Sequence, residues 1–137
     1  MSDSITGGCH CGAVRYTLGT PPMWAGHCQC TNCQKFGSAG HMSNMVVAKD
    51  ALEVSGELLA YSYDADSGNH MTRYACTVCA TQIYGESSGN PTAVVLRAGS
   101  LDDASVFDAK AVIYTDSAVS WDAVDTDLPT FPKMPQR

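Results

Sequence analysis

A mostly β chain of short strands is predicted by three observations. Stretches rich in Val, Ile, Thr and Tyr recur along the sequence, and Gly, Ser, Asn, Asp and Pro separate them. No segment keeps an apolar helical period over helical length. In chain order the strand candidates are VRYTL at 14–18, LLAYSYD at 58–64, TRYAC at 72–76, TQIYG at 81–85, TAVVLRAG at 92–99 and KAVIYT at 110–115. Two short helical turns fit between them. One lies at TNCQKF with Thr31 as a cap; the other lies at SLDDASVF, where Ser100 could cap Leu101 to Ser105. The end, DLPTFPKMPQR, places three prolines in seven residues and reads as an extended tail outside any strand.

With 137 residues the chain can bury a real core, so one domain over 1–137 is expected, with its core at about 5–132. It opens on the polar MSDSITGG and has neither an apolar run near the roughly 18 residues of a membrane span nor a secretion signal. A soluble, cytoplasmic protein with no membrane partner is the expectation. The net charge is −6 and the eight Lys and Arg residues are scattered, which argues against nucleic acid. Oligomeric state is not set by the sequence.

Seven cysteines are many for a cytoplasmic chain, and an odd number cannot all pair as internal disulfides. They divide into CxC (Cys9, Cys11), CxCxxC (Cys28, Cys30, Cys33) and CxxC (Cys76, Cys79). Structural zinc takes four protein ligands, and two separated pairs close a tetrahedron, so Cys9, Cys11, Cys76 and Cys79 form one expected site. The triplet has three ligands, the number found where water or substrate completes the shell of a catalytic zinc. Two alternatives stand beside this reading: His27, His41 or His10 closes the triplet as a structural site, or the CxxC forms a redox disulfide, for which the usual βαβ context is missing.

The segments GGCHCGAVRY, HCQCTNCQKFGSAG, YACTVCATQIY, VLRAGSLDD and VIYTDSAVSW, in this order, resemble the glutathione-dependent formaldehyde-activating enzyme family, which includes centromere protein V-like members. The resemblance runs from about Gly7 to Pro132. It implies a β-tent-like fold of short antiparallel sheets, a structural zinc on Cys9, Cys11, Cys76 and Cys79, and a second zinc on Cys28, Cys30 and Cys33. The implied reaction joins glutathione to formaldehyde as S-hydroxymethylglutathione, a carbon–sulfur lyase reaction named for its reverse. The implied partners are thus a small-molecule thiol and an aldehyde; another thiol, another electrophile, or a non-catalytic two-zinc interaction domain are the competing readings.

Two positions depart from the family pattern. Ala80 stands where Gly is expected after the second pair, and a knuckle turn needing positive φ there would cost on the order of 1 kcal/mol with a Cβ present. Val112 stands where members often carry His. Candidates for the proton of the new alkoxide are His27, His41 and Tyr84, chosen for closeness to the cysteines in sequence. Lys35, Arg73 and Arg97 are the cations that suit glutathione carboxylates. Trp24 could wall a pocket beside the triplet, while Trp121 and Phe131 would anchor the C-terminal segment.

Overall fold

The computed structural model describes residues 4–125 and 127–135. In chain order the strands are β1 (Ile5–Gly8), β2 (Arg15–Leu18), β3 (Trp24–Cys28), β4 (Met42–Ala48), β5 (Leu52–Ser55), β6 (Leu58–Asp64), β7 (His70–Cys76), β8 (Gln82–Ser87), β9 (Ala93–Arg97) and β10 (Ala111–Ile113). A single α-helix among the described residues, α1, spans Thr31–Gly37 between β3 and β4. The fold is therefore mostly β, as the alternating segments predict.

The strands form two sheets. A three-stranded antiparallel sheet runs in the order β1-β2-β5, and a seven-stranded sheet runs β10-β3-β4-β9-β8-β7-β6. Period-two alternation explains how they meet. On β2, Tyr16 and Leu18 point inward while Arg15 and Thr17 face solvent. On the large sheet Met45, Val47, Ile83, Val94 and Leu96 join them, with Val14, in the main core. The opposite face of the large sheet carries Met42 and Cys28, which pack with Cys33 and Ile113 in a second apolar cluster.

Alternation on β3 separates the two faces residue by residue. Trp24 and Cys28 lie with the second cluster, whereas Ala25 belongs to the main core and His27 faces Phe107, which packs against that core. Gly26 sits where the neighbouring strand comes closest, since a Cβ there would lie 2.6 Å from the Ala111 carbonyl oxygen. That strand, β10, pairs with β3 in parallel, so the expected all-antiparallel arrangement has one exception.

Four local expectations are corrected. Cys30, not Thr31, caps α1, its sulfur accepting from the Cys33 N–H at 3.3 Å. Leu101 to Ser105 is not a helix capped by Ser100; short 3-10 turns lie at Ala98–Ser100 and Ala104–Val106, and Asp103 caps the second. Ser100 is buried instead, bonded to the Tyr16 hydroxyl at 2.8 Å and donating to the Arg97 carbonyl at 2.7 Å. The C-terminal segment is held strand-like beside β10, with a parallel bridge between Val112 and Thr130 and a 2.9 Å bond from the Phe131 N–H to the Val112 carbonyl. Phe131 packs on the second cluster as expected, but Trp121 is 71% exposed and is not buried as an anchor. Gln136 and Arg137 of the predicted tail, like residues 1–3, lie outside the described residues.

Candidate metal centres

All seven cysteines are free thiols, and they gather into two groups. Cys9, Cys11, Cys76 and Cys79 bring their sulfurs within 4.8 Å of one another, and so do Cys28, Cys30 and Cys33. Among the described residues no histidine or carboxylate belongs to either group.

The four-cysteine group joins the turn after β1 to the turn after β7. The Cys9 and Cys11 sulfurs lie 3.6 Å apart and those of Cys11 and Cys76 3.8 Å apart. A tetrahedron with zinc–sulfur bonds of about 2.3 Å has edges of about 3.8 Å, so the spacing fits zinc. Backbone N–H groups point at the sulfurs: Val14 at 3.2 Å from Cys9, and Val78 and Cys79 at 3.3 and 3.5 Å from Cys76. The Thr81 hydroxyl is 3.2 Å from Cys79, whose thiol is pulled down to about 5, first by that contact. Ala80, between Cys79 and Thr81, takes φ 65°, the left-handed conformation that the missing glycine would favour.

The triad is built differently. Cys28 ends β3, Cys30 caps α1, and Cys33 sits one turn inside it, so a strand end and a helix start aim three sulfurs at one point. All-thiol ligation suits soft or borderline ions, zinc among them. Cys28 and Cys33 are buried and Cys30 half-buried. Charge concentrates on Cys33, whose thiol is held down to about 2, first by the Cys28 and Cys30 thiols, with Arg73 and Arg97 assisting against burial. Cys28 is correspondingly pushed up, chiefly by Cys30 and Cys33.

Around the triad stand Trp24, Phe36, Tyr114 and Phe131. Tyr114 is in the left-handed region, φ 59° and ψ 40°, a cost of order 1–3 kcal/mol for a bulky residue. Its hydroxyl is kept protonated by burial and then by the nearby cysteines. On the sheet face behind Cys33 lie Asn44, Arg73 and Arg97, all buried. Asn44 Nδ2 and Arg73 Nη2 are each 4.0 Å from the Cys33 sulfur, and Arg97 Nη1 donates to Asn44 Oδ1 at 2.9 Å. Arg73 lies 4.1 Å above the Phe36 ring, and its Nε donates to the Tyr63 hydroxyl at 3.0 Å. Burial lowers Arg97 to about 10, which leaves it charged at neutral pH.

The other predicted residues fall elsewhere. His27 Nδ1 pairs with the Ser43 hydroxyl at 2.9 Å, and its ring meets His41 at 4.9 Å between centroids. His41 Nδ1 pairs with Asp122 at 2.8 Å. Tyr84 stacks on Tyr74 at 4.5 Å and packs against the main core. Lys35 is exposed on α1, and His10 is exposed with its N–H 3.2 Å from the Thr81 hydroxyl. Sequence reasoning missed Asn44 and Tyr114. The signal for Asn44 is a second polar residue, beside Ser43, in the apolar-rich MSNMVVA; for Tyr114, the turn residues Thr115, Asp116 and Ser117 mark a turn but not which way the ring is aimed.

Comparison with known proteins bears on the family and the fold. The family described as "Glutathione-dependent formaldehyde-activating enzyme" matches residues 4–117. A protein of Halomonas elongata named "Putative glutathione-dependent formaldehyde-activating enzyme" is 32% identical over 85 residues, covering 58% of this chain and 54% of that one. The chain thus spans about half the length of this curated relative. A crystal structure of a Rhodobacter sphaeroides protein shares the fold, with a TM-score of 0.57 at 22% identity over 71% of this chain and 87% of that one. No helix among the described residues is long and apolar enough to cross a membrane.

Proposed function

The chain belongs to the glutathione-dependent formaldehyde-activating enzyme family, and from that membership we propose that it joins glutathione, or a close thiol, to formaldehyde as a carbon–sulfur lyase acting in its synthetic direction. The observation that carries the reading is the triad: three sulfurs within 4.8 Å of one another and no fourth protein ligand among the described residues. We read the whole chain as one domain. Its free thiols fit a reducing compartment, and we place the reaction in the cytoplasm.

Zinc fits both donor sets, and at the triad it supplies a thiolate at neutral pH by favouring the deprotonated form of an incoming thiol. Cys28, Cys30 and Cys33 would hold it there. The chain's own residues then do the rest. Trp24, Phe36 and Phe131 pack around the triad and give it an apolar wall. The thiolate sulfur attacks the aldehyde carbon, the carbonyl electron pair moves to oxygen, and the alkoxide takes one proton to give the S-hydroxymethyl product. We assign that proton to the Tyr114 hydroxyl, because Tyr114 packs on the triad, whereas Tyr84 faces the main core. Lys35, exposed on the helix that carries Cys33, is the cation we assign to a glutathione carboxylate.

The test is glutathione added to cobalt-substituted protein while the sulfur-to-metal and visible bands are followed. A saturable change toward a four-sulfur tetrahedral spectrum is expected from the triad, with the four-cysteine centre silent. No change at millimolar glutathione would favour a non-catalytic two-zinc domain. Tyr114→Phe should lower kcat by about 100-fold or more and leave glutathione binding unchanged.

A further inference from the structure

Arg73 and Arg97 are only 7% and 6% exposed, and a buried charge is costly unless an opposite charge faces it. Among the described residues, the carboxylates engaged in ion pairs face Arg15, Lys49, Lys110, His41 and His70, and none faces either buried arginine. Arg97 Nε is buried and unpartnered. Two further features hold the pair in place. Phe36 covers the Arg73 guanidinium, and Gly85 lies so close to Arg97 that a Cβ there would sit 2.8 Å from Nη2. Neither arginine is placed as a solvent-facing receptor for a carboxylate.

The groups within reach that can carry negative charge are sulfurs. Arg73 touches Cys33 at 4.0 Å, and Arg97 reaches it through Asn44. Three thiolates around a divalent ion carry one net negative charge, and two guanidiniums turn that into one net positive charge. One more anion makes the buried site neutral. The four-cysteine centre offers a contrast: Cys11 is exposed, and backbone N–H groups there suffice.

We propose that Arg73 and Arg97 are the built-in counter-ions of a triad completed by one anionic ligand, so that the site selects a thiolate over a neutral donor by charge. This rests on the function proposed above for the triad but concerns its charge selectivity, which can fail separately. The S–H proton of an entering thiol leaves to solvent, and the sulfur stays as the anion that the arginines face.

The experiment uses full-length cobalt-substituted protein and three probes: azide, an anion with no proton to lose; imidazole, a neutral donor; and glutathione. Wild-type protein should take up azide in preference to imidazole. Arg97→Met should weaken azide and glutathione binding by at least 10-fold and shift imidazole by less than 2-fold, while Arg97→Lys recovers most of the anion affinity. Arg73→Met should behave as Arg97→Met does, and it decides the matter if the latter does not fold, as judged by the four-cysteine cobalt spectrum. Uptake of no anion by the wild type, or equal changes for azide and imidazole, overturns the inference. Loss of glutathione binding alone would assign the arginines to its carboxylates and overturn it too. Azide binding that depends on the arginines in a protein that ignores glutathione would keep the counter-ion assignment and remove the proposed function.

Discussion

Replacing Ala80 with glycine should make the protein more stable. Ala80 takes φ 65° in the turn that closes the CxxC, and a left-handed backbone costs an L residue about 1–2 kcal/mol. Its methyl group is exposed, so removing it loses no packing. The bond from its N–H to the Cys76 carbonyl, 3.0 Å, is kept. Glycine's looser unfolded chain takes back about 0.4–1 kcal/mol, which leaves a net gain centred on about 0.8 kcal/mol. For a domain of this size that is a rise in Tm of about 1–4 °C. The assay is thermal unfolding of both proteins under saturating zinc, with the rate of zinc transfer to a chelator as a report on the knuckle itself. An unchanged or lowered Tm would refute the reasoning, because it would mean that the Cβ of Ala80 carries no strain.

Two further outcomes follow from packing and charge. Gly26→Ala would place a Cβ 2.4 Å from the Trp24 ring and 2.6 Å from the Ala111 carbonyl oxygen, so urea unfolding should show a loss of about 1–3 kcal/mol, together with altered Trp24 fluorescence. Burial, then His41, lowers the pKa of His27 below its ordinary 6.5. The neutral ring therefore contributes stability at and above that value and loses it as pH falls toward the folded pKa. The stability difference between wild type and His27→Gln should accordingly shrink from pH 7.5 to pH 6, and a difference that grows would contradict the assignment.

What could be read from the sequence divides along physical lines. The strands VRYTL, LLAYSYD and KAVIYT announce themselves because β-branched and aromatic residues alternate there. WAGHC and ITGG do not, since their glycines answer close contacts: a Cβ on Gly7 would lie 2.2 Å from the Tyr16 hydroxyl. MSNMVVA and LEVS were not among the predicted strands, because Ser43 and Asn44 in the first and Glu53 in the second interrupt short apolar runs that lie between turn residues. The cysteine groups were legible because metal ligation imposes spacing on the chain itself. Arg73 and Arg97 stood out as strand cations, but their burial beside Cys33 did not, because exposed and buried strand cations look alike until the register Asn44 opposite Arg97 and Arg73 opposite Gly85 is known.

Metal removal should separate the two centres, since they tie the chain differently. Cys11 and Cys76 are 65 residues apart in sequence, whereas the triad ligands lie within six consecutive positions. Loop-closure entropy grows with the logarithm of loop length, so the four-cysteine centre restricts the unfolded chain by about 2 kcal/mol more than the triad, before any difference in bond strength. Cys76, at 1% exposure, is also part of the main core. A chelator followed by circular dichroism and released-zinc readout should then act in two phases. The first should empty the triad with the fold standing, and the second should unfold the chain as the four-cysteine centre is lost. Substitution should repeat the order: Cys76→Ser lowers Tm sharply or prevents folding, while Cys30→Ser removes thiol binding and leaves Tm within a few degrees. If Cys30→Ser were the more destabilising change, the division into a centre that holds the fold and a centre that meets the ligand would be wrong.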